Sequence, residues 1–536
     1  MHKRGISIFI ALCVLLSGVL FKIISLNYLP YADVGSAYSS KTLLIGQTRG
    51  NIYDCNLQKL VNKENKLVCA AKCGAYSLSY IGSLKDEEKA ESLSTQLTKG
   101  LPVIFETDEK IQNEDMETFE VPERYENSDF LCHVIGYTDS SGHGVSGIEK
   151  AYDTLLSQGS GSLSVTFQTD AKGRVLTGIV PTVKDDNFNS ASGVILTIDE
   201  DIQKIAENAM KECEIDSGAC VILSAEDAGI SALVSTPTYS RDNLEEALKD
   251  NNSPLMNKAL SAYAVGSVFK PIIAASALEN KIETDFDYSC SGKTEINGTE
   301  YICNGQTSHG KMNLKSALEV SCNTYFVNLS KRLEADMIYK TCTDLGFSSD
   351  TYLCDGISGE AGAFPEEEEL ENKGVKANIS FGQGNFTATP LQMAASYLAI
   401  ASGGYYKYPY LIKGTIDSSG NLTQTQKKPD SRVLSESTCN ILRSDLISTV
   451  ENGNAYNAEC SLCTVAGKTG TAQSGSYDES GKEILRTWFV GFFPANDPLY
   501  CAAILSENGQ SGARDCAPVF SIIAEKTMEL MISRAN

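Results

Sequence analysis

The chain has few basic residues for its size, and this shortage excludes one class of partner. Its 536 residues include 45 Lys and Arg against 68 Asp and Glu, for a formal net charge of -23. Such an acidic balance argues against nucleic acid or an anionic lipid surface as the main partner. Internal repeats and low-complexity linkers are also lacking, so we expect no long disorder. The length, with 42% hydrophobic residues, predicts two or three domains with sizeable cores.

The cysteines, although 17 in number, lack the spacing of a compact disulfide framework. Many fall inside apolar patterns, where a free thiol packs as a small hydrophobe. Cys460 and Cys463 have redox or zinc spacing, but no second pair lies at zinc-ribbon distance. The sequence therefore predicts no metal and no cofactor, while local disulfides remain open for Cys460 with Cys463 and for Cys290 with Cys303.

A single long apolar stretch is present, at the N-terminus. Residues 5–21 are uncharged and largely apolar, and Lys3 and Arg4 precede them. The stretch is long enough to span a bilayer with Lys22 snorkelling outward, and the cations at its start favour a cytoplasmic N-terminus. We predict a cytoplasmic tip and transmembrane signal anchor over residues 1–28, with the bulk of the chain extracytoplasmic. A cleaved signal peptide is the alternative.

The rest of the chain divides near residue 190, where the composition changes. Residues 29–190 have broken periodicity and predict a mixed α/β domain, with a strand at 133–137 and a helix over 148–156. Residues 191–536 predict an α/β (α+β) domain in which an antiparallel sheet is covered by helices. Its expected strands are 194–199, 218–223, 230–235, 464–472, 488–493 and 500–505. Two expected helices begin at residues 201 and 267, and three others cover 316–333, 390–401 and 519–532.

A serine followed three residues later by a lysine opens one of these predicted helices. Ser267 and Lys270 would share a face of its first turn, close enough for the amine to touch the hydroxyl. A lysine desolvated against apolar helices can have its pKa lowered enough to take the serine proton. The pair is a candidate acylation centre, although Ser308 and Lys311 have the same spacing and show that the motif alone is weak.

Two further motifs follow the first in a recognisable order. Residues 321–323 read S-x-N, and residues 468–470 read K-T-G. S-x-N is common, since residues 419–421 and 506–508 also satisfy it, but K-T-G occurs once. All three motifs in this order are the set found in serine enzymes that are acylated by penicillin.

With these motifs the sequence resembles the class B penicillin-binding proteins, the bitopic transpeptidases that crosslink peptidoglycan. The similarity extends to Arg49–Asp54 and His133–Glu149, which look like the family's pedestal motifs, and to Phe381–Gly384. Val265 departs from the family's usual proline. The resemblance implies a pedestal domain over residues 29–190 and a transpeptidase domain over 191–536. Neither a class A glycosyltransferase domain nor PASTA repeats are visible in the sequence.

The resemblance also implies an acyl-enzyme mechanism. Ser267 would attack the carbonyl of a D-Ala-D-Ala stem peptide with release of the terminal D-alanine, and a neutral Lys270 would be the base. Ser321 would relay a proton to the leaving amine, while the backbone N–H groups of Ser267 and Thr471 would form an oxyanion hole. The remaining implied site residues are Asn323, which holds the donor and the lysine, Lys468, which adds positive potential, and Thr469, Gly470 and Thr471, which bind the substrate.

The implied ligands are peptidoglycan stem peptides and β-lactams, the latter bound covalently at Ser267. The implied partner is a SEDS-family glycosyltransferase in the membrane, and the choice between elongation, division and sporulation stays open. Two alternatives remain at this point: a β-lactam sensor or β-lactamase with the same motifs, and a largely non-catalytic scaffold that activates the glycosyltransferase. The long pedestal counts against a hydrolase, which needs no spacer.

Overall fold

The computed structural model describes residues 12–22, 39–126, 129–188, 190–282, 286, 288–477 and 481–536. They form two compact units, each built from several stretches of chain. The first unit contains the described residues within 1–48, 64–123 and 160–190, and the second contains those within 49–63, 124–159 and 191–536. The chain leaves the first unit for the last time after Ser190, and residues from the segment 29–190 belong to both units. The division into a pedestal domain and a transpeptidase domain stays a prediction.

The first unit is built on two three-stranded antiparallel sheets. One has the order Ser39–Thr48, Gly161–Thr169, Thr182–Asp186, and the other has the order Val103–Thr107, Asn65–Ala71, Met116–Pro122. Alternate residues of Gly161–Thr169 are buried, as a strand with one face on a core requires. Two helices, Ala75–Ile81 and Glu87–Thr98, complete the unit, and the Asp86 carboxylate caps the second by accepting a hydrogen bond from the Lys89 N–H.

A five-stranded antiparallel sheet lies at the centre of the second unit. Its order is Ile230–Thr236, Gly218–Ser224, Tyr500–Gly509, Glu483–Phe493, Ala466–Tyr477. Successive side chains of a strand point to opposite faces. Accordingly, Val221 and Leu223 join the larger hydrophobic core, whereas Cys220 and Ile222 join a second core on the other face. The sheet is therefore covered on both sides.

Three helices provide most of this cover. Pro390–Ala401 packs on one face with every residue buried, because it is apolar all round. Its start is fixed by a capping box between Thr389 and Gln392, with proline at the first helical position. Glu200–Glu212 and Gly512–Ala535 pack on the other face. This is the predicted α+β arrangement of an antiparallel sheet between helices.

Smaller elements complete the second unit. A four-stranded sheet has the order Asn51–Tyr53, Gly193–Leu196, Ile412–Ile416, Leu422–Gln424. Two-stranded pairs are Tyr263–Ala264 with Thr387–Ala388, Tyr288–Cys290 with Gly310–Met312, Lys293–Ile296 with Thr299–Ile302, Thr351–Cys354 with Ile357–Gly359, and Tyr405–Tyr406 with Ser431–Arg432. The other α-helices are Cys132–Ile135, Gly147–Ala151, Asp153–Gln158, Leu244–Ala247, Lys270–Glu279, Leu314–Glu319, Asn323–Ser330, Ala335–Asp344, Glu367–Leu370, Lys373–Ile379 and Glu436–Glu451; Gly266–Phe269, Asn304–Gln306 and Tyr456–Ala458 are 3₁₀ turns.

One strand prediction was wrong. The segment expected as a strand at 133–137 contains the short helix Cys132–Ile135, flanked by the positive-φ residues Leu131 and Gly136. A brief apolar run does not distinguish a strand from a buried helical turn. The helix expected over 148–156 is interrupted at Tyr152, and the helical pattern over 316–333 is interrupted at Ser321, whose φ of 54° lies in the left-handed region.

Part of the predicted membrane anchor falls within the described residues. Residues 12–22 are helical and exposed, and the rest of the segment 1–28 lies outside the described residues. In the portion that the structure describes, no helix combines the length and the apolar character needed to cross a bilayer.

Candidate active site

Ser267 lies on the 3₁₀ turn Gly266–Phe269, which runs directly into the helix Lys270–Glu279. The Lys270 N–H donates to the Ser267 carbonyl, so the two residues are separated by one tight turn. Val268 and Phe269 are fully buried and fix the turn on the core, whereas Ser267 is partly exposed. A rigid turn thus presents one hydroxyl at the surface.

The backbone around Ser267 is held from two sides. Gly266 has a φ of 67°, and its N–H donates to the Gly382 carbonyl at 2.8 Å. A Cβ atom at Gly266 would lie 2.7 Å from the Thr471 carbonyl oxygen, so glycine is needed for this close approach to the strand. On the buried side, the Tyr397 hydroxyl donates to the Val268 carbonyl at 2.7 Å.

The Lys270 amine lies at the centre of a hydrogen-bonded cluster. Its Nζ donates to the Ser321 carbonyl at 2.7 Å, to Ser321 Oγ at 3.0 Å and to Asn323 Oδ1 at 2.8 Å. The left-handed backbone of Ser321 lets one residue offer both its carbonyl and its hydroxyl to the amine. Two of the three sequence motifs are thus joined by direct contacts.

Lys468 brings the third motif to the same hydroxyl. Its Nζ donates to Ser321 Oγ at 3.1 Å and to the Thr469 carbonyl at 3.1 Å. The Lys270 and Lys468 side chains are both completely buried. Ser321 Oγ therefore lies between two amines, a position suited to passing protons.

Burial controls the ionisation of both amines. Desolvation lowers the pKa of Lys270 to about 7, against a smaller opposing influence of Cys322 and Cys303. Desolvation, followed by the charge of Lys270, holds the pKa of Lys468 well below its usual value. A lysine that titrates near neutral pH can accept a proton from a neighbouring hydroxyl.

The strand Ala466–Tyr477 forms the rim of the site beyond Lys468. A Cβ atom at Gly470 would lie 3.0 Å from Val268 Cγ1, so this glycine lets the strand approach the Ser267 turn. The Thr469 hydroxyl donates to Asn454 Oδ1 at 3.1 Å, and the Thr471 hydroxyl accepts from the Gly512 N–H at 3.4 Å. Sequence reasoning missed Asn454, because no motif accompanies it.

The competing serine–lysine pair lacks such surroundings. The Ser308 hydroxyl donates to the Cys290 carbonyl at 2.9 Å, which is a structural contact.

The two local disulfides left open by the sequence are not formed, since all the cysteines have free thiols. The Sγ atoms of Cys290 and Cys303 lie 3.8 Å from each other, and those of Cys460 and Cys463 lie 3.6 Å from each other.

Taken together, the cluster has the parts of a serine acyl-transfer site. It combines an accessible hydroxyl, a desolvated amine one turn away, and a second hydroxyl between two amines. Nucleophilic serines need such a base, and leaving groups need such a proton donor.

Comparison with known proteins gives the family to which this chain is similar. The family model described as the penicillin binding protein transpeptidase domain matches residues 218–525. Stage V sporulation protein D of Bacillus subtilis is 30% identical over 471 residues, covering 83% of this chain and 70% of that protein. Peptidoglycan D,D-transpeptidase MrdA of Acinetobacter baumannii is 28% identical over 452 residues, covering 74% of this chain and 65% of that protein.

A solved structure shares the fold. The D,D-transpeptidase domain of a peptidoglycan glycosyltransferase from Eggerthella lenta superposes with a TM-score of 0.65 at 24% identity, covering 90% of this chain and 99% of that one. The residues that the family model matches, 218–525, include both the central sheet and the Ser267 turn.

Proposed function

The chain belongs to the penicillin-binding protein transpeptidase family, and we propose that it is a peptidoglycan D,D-transpeptidase acting through an acyl-enzyme on Ser267. The observation that carries the proposal is the contact of the Lys270 amine with Ser321 and Asn323, one turn away from the Ser267 hydroxyl.

In the first half-reaction, Ser267 Oγ attacks the carbonyl of the D-Ala-D-Ala bond of a stem peptide. The proton of the hydroxyl passes to the neutral Lys270 amine. The Ser267 and Thr471 N–H groups receive the oxyanion, where each donor contributes roughly 3 to 4 kcal/mol. Ser321 delivers a proton to the leaving D-alanine, and it regains one from Lys270 or Lys468, which both contact its hydroxyl.

The other site residues bind and orient the donor peptide. Asn323 Oδ1 holds the Lys270 amine, and Asn323 Nδ2, which donates to the Ile302 carbonyl, has a second N–H that would donate to the donor backbone. Thr469 and Thr471 receive the terminal carboxylate beside the Lys468 amine. Gly470 has no Cβ atom, so the strand can lie close to the Ser267 turn. In the second half-reaction, an amine of a neighbouring stem peptide attacks the ester, and the new peptide bond is the crosslink. Water must be kept from the ester throughout.

The test is the lifetime of the adduct with a labelled penicillin. Incubation of the full-length protein should give a mass increase equal to one intact penicillin, mapped by peptide analysis to the segment that contains Ser267. We expect the adduct to persist, because among the described site residues none is identified as a base that would activate water to hydrolyse the ester. Loss of the adduct within seconds, with release of hydrolysed penicillin, would indicate a β-lactamase and would contradict the proposal.

Acylation by penicillin should become faster as the pH rises through 7. The neutral form of Lys270 is the base, and its pKa is lowered to about 7 by burial. Below this pH the amine is mostly protonated, so the rate should increase about tenfold between about pH 6 and about pH 8 and then level off. Stopped-flow acylation rates would test this, with circular dichroism at each pH as the folding control. A rate that falls over this interval would contradict the assignment.

The placement of the protein follows from the same proposal. Residues 1–28 would be the membrane anchor with a cytoplasmic N-terminus, and residues 29–190 would serve as the pedestal. Residues 12–22 support this, because the described helix exposes Leu12, Val14 and Phe21. The proposed partner is a SEDS-family glycosyltransferase in the same membrane. Protease added outside intact spheroplasts should digest the chain; full protection would contradict this topology.

A further inference from the structure

Asn454, a residue outside the three sequence motifs, reaches the active site through its side chain. Its Oδ1 accepts a hydrogen bond at 3.1 Å from the hydroxyl of Thr469, the middle residue of K-T-G. Asn454 lies in the short segment between the helix Glu436–Glu451 and the turn Tyr456–Ala458. It is partly buried, and Thr469 is buried. A side chain in this position can govern how Thr469 presents its hydroxyl.

The backbone of the same segment is fixed close to the S-x-N motif. The Asn454 N–H donates to the Glu319 carbonyl at 3.1 Å. A Cβ atom at Gly453 would lie 2.6 Å from that carbonyl oxygen, so glycine is needed for this close approach. From the preceding helix, the Ser448 hydroxyl donates to Glu319 Oε1 at 2.5 Å. Since Glu319 precedes Ser321 by two residues, the segment that bears Asn454 is anchored beside the S-x-N turn.

These contacts close a ring that joins the S-x-N and K-T-G motifs. Lys468 Nζ donates to Ser321 Oγ at 3.1 Å and to the Thr469 carbonyl at 3.1 Å. The ring continues from the Thr469 hydroxyl to Asn454, and it returns to Ser321 through the Glu319 backbone. Of the side chains in this ring, that of Asn454 alone belongs to neither motif. The alignment of the two motifs therefore depends in part on its carboxamide.

The direction of the hydrogen bond from Thr469 matters for substrate binding. A hydroxyl has one proton, and here that proton points to Asn454 Oδ1. A carboxylate only accepts hydrogen bonds, so a substrate carboxylate needs the same proton. A carboxamide can also donate, because its nitrogen carries two protons. With Nδ2 turned to Thr469, Asn454 would donate to Oγ1, and the hydroxyl proton would be free for the carboxylate.

This half-turn of the carboxamide would cost no second hydrogen bond. Within the part of the chain that the structure describes, Asn454 Nδ2 makes no hydrogen bond. An exchange of Oδ1 and Nδ2 therefore breaks only the contact that it replaces. An ionised aspartate at this position could not make the exchange, since both of its terminal atoms are acceptors.

We propose that Asn454 is a positioning residue, which holds Thr469 and turns its carboxamide when substrate binds, so that Thr469 donates to the terminal carboxylate of the donor peptide. This role rests on the proposed function, because the carboxylate is that of the D-Ala-D-Ala stem peptide. Asn454 acts on recognition of the donor through Thr469, and it takes no part in the transfer of the acyl group. Its loss should weaken the binding of ligands that carry the carboxylate and spare those that lack it.

Two penicillin probes separate this role from a general structural one. Benzylpenicillin carries the carboxylate, whereas its methyl ester lacks the charge. Asn454→Ala should slow acylation by benzylpenicillin roughly 10- to 100-fold, the range for a lost hydrogen bond to a charged group. Asn454→Asp should slow it at least as much, because its carboxylate would keep the Thr469 proton. In stopped-flow measurements the apparent dissociation constant should rise while the limiting acylation rate is preserved, and both variants should react with the methyl ester at the wild-type rate.

Asn440→Asp is the matched control for the added charge, since Asn440 is exposed on the helix that precedes the segment. It should leave both rates unchanged. The thermal midpoint reports folding, and the nearly isosteric Asn454→Asp carries the test if the alanine variant does not fold.

The outcomes distinguish this role from the proposed function. Equal slowing of the two probes, or an unchanged rate with benzylpenicillin, would overturn the role of Asn454 and leave the proposed function intact. A wild-type protein that benzylpenicillin does not acylate would overturn both.

Discussion

Replacement of Ser267 by alanine should abolish the covalent penicillin adduct and the release of D-alanine from stem peptides. In the proposed mechanism the ester oxygen comes from this hydroxyl alone, so the variant should have no slower route to the same intermediate. Loss of a nucleophilic serine typically lowers turnover on the order of a millionfold. Ser267 is partly exposed and its side chain does not contribute to the core, so the variant should fold normally.

Intact mass after incubation with penicillin would measure this effect, with the thermal midpoint as the folding control. An adduct of normal yield on Ser267→Ala would show that another residue is the nucleophile. The same variant tests the scaffold alternative in the native host, provided that no paralogue is present. Normal wall crosslinking and viability there would favour a scaffold that activates the glycosyltransferase.

Replacement of Lys270 by methionine should slow acylation by roughly 10²- to 10⁴-fold, the range that a general base contributes. Methionine keeps most of the buried volume but removes the amine that contacts Ser321 and Asn323. The rate should also lose its dependence on pH near 7, because the group responsible for it is gone. A structural role alone would lower the rate without removing that dependence.

Stopped-flow acylation over a range of pH would measure both effects. Lys311→Met is a matched control, since Lys311 has the same S-x-x-K spacing from Ser308 but is exposed. It should leave the rate and its pH dependence unchanged. A Lys270→Met variant that keeps the pH dependence would assign the base to another residue, of which Lys468 is the nearest candidate by geometry.

Much of the second unit could be predicted from short-range patterns. The strands at 218–223 and 230–235 were correct because apolar residues there are continuous and separated by a turn signal. The helix Pro390–Ala401 was correct at both ends, because proline and its capping box mark the start. The motif residues were identifiable because their order along the chain is itself informative.

Features that depend on tertiary structure could not be predicted in this way. The left-handed backbone of Ser321 is set by its two flanking helices, and no local propensity indicates it. Cys303 and Cys322 are 19 residues apart in sequence, and the fold alone brings their Sγ atoms to 3.7 Å from each other. The contact of Asn454 with Thr469 likewise has no local signal.

The position of the strand Ala466–Tyr477 at one end of the central sheet has a consequence for recognition. Within the described residues it pairs with a single neighbouring strand. An edge strand offers free main-chain donors and acceptors to an extended ligand, which can then add itself to the sheet. A linear peptide aligned there would be bound mainly through main-chain hydrogen bonds. Peptides with different side chains could therefore bind in the same register, with the reactive bond beside Ser267.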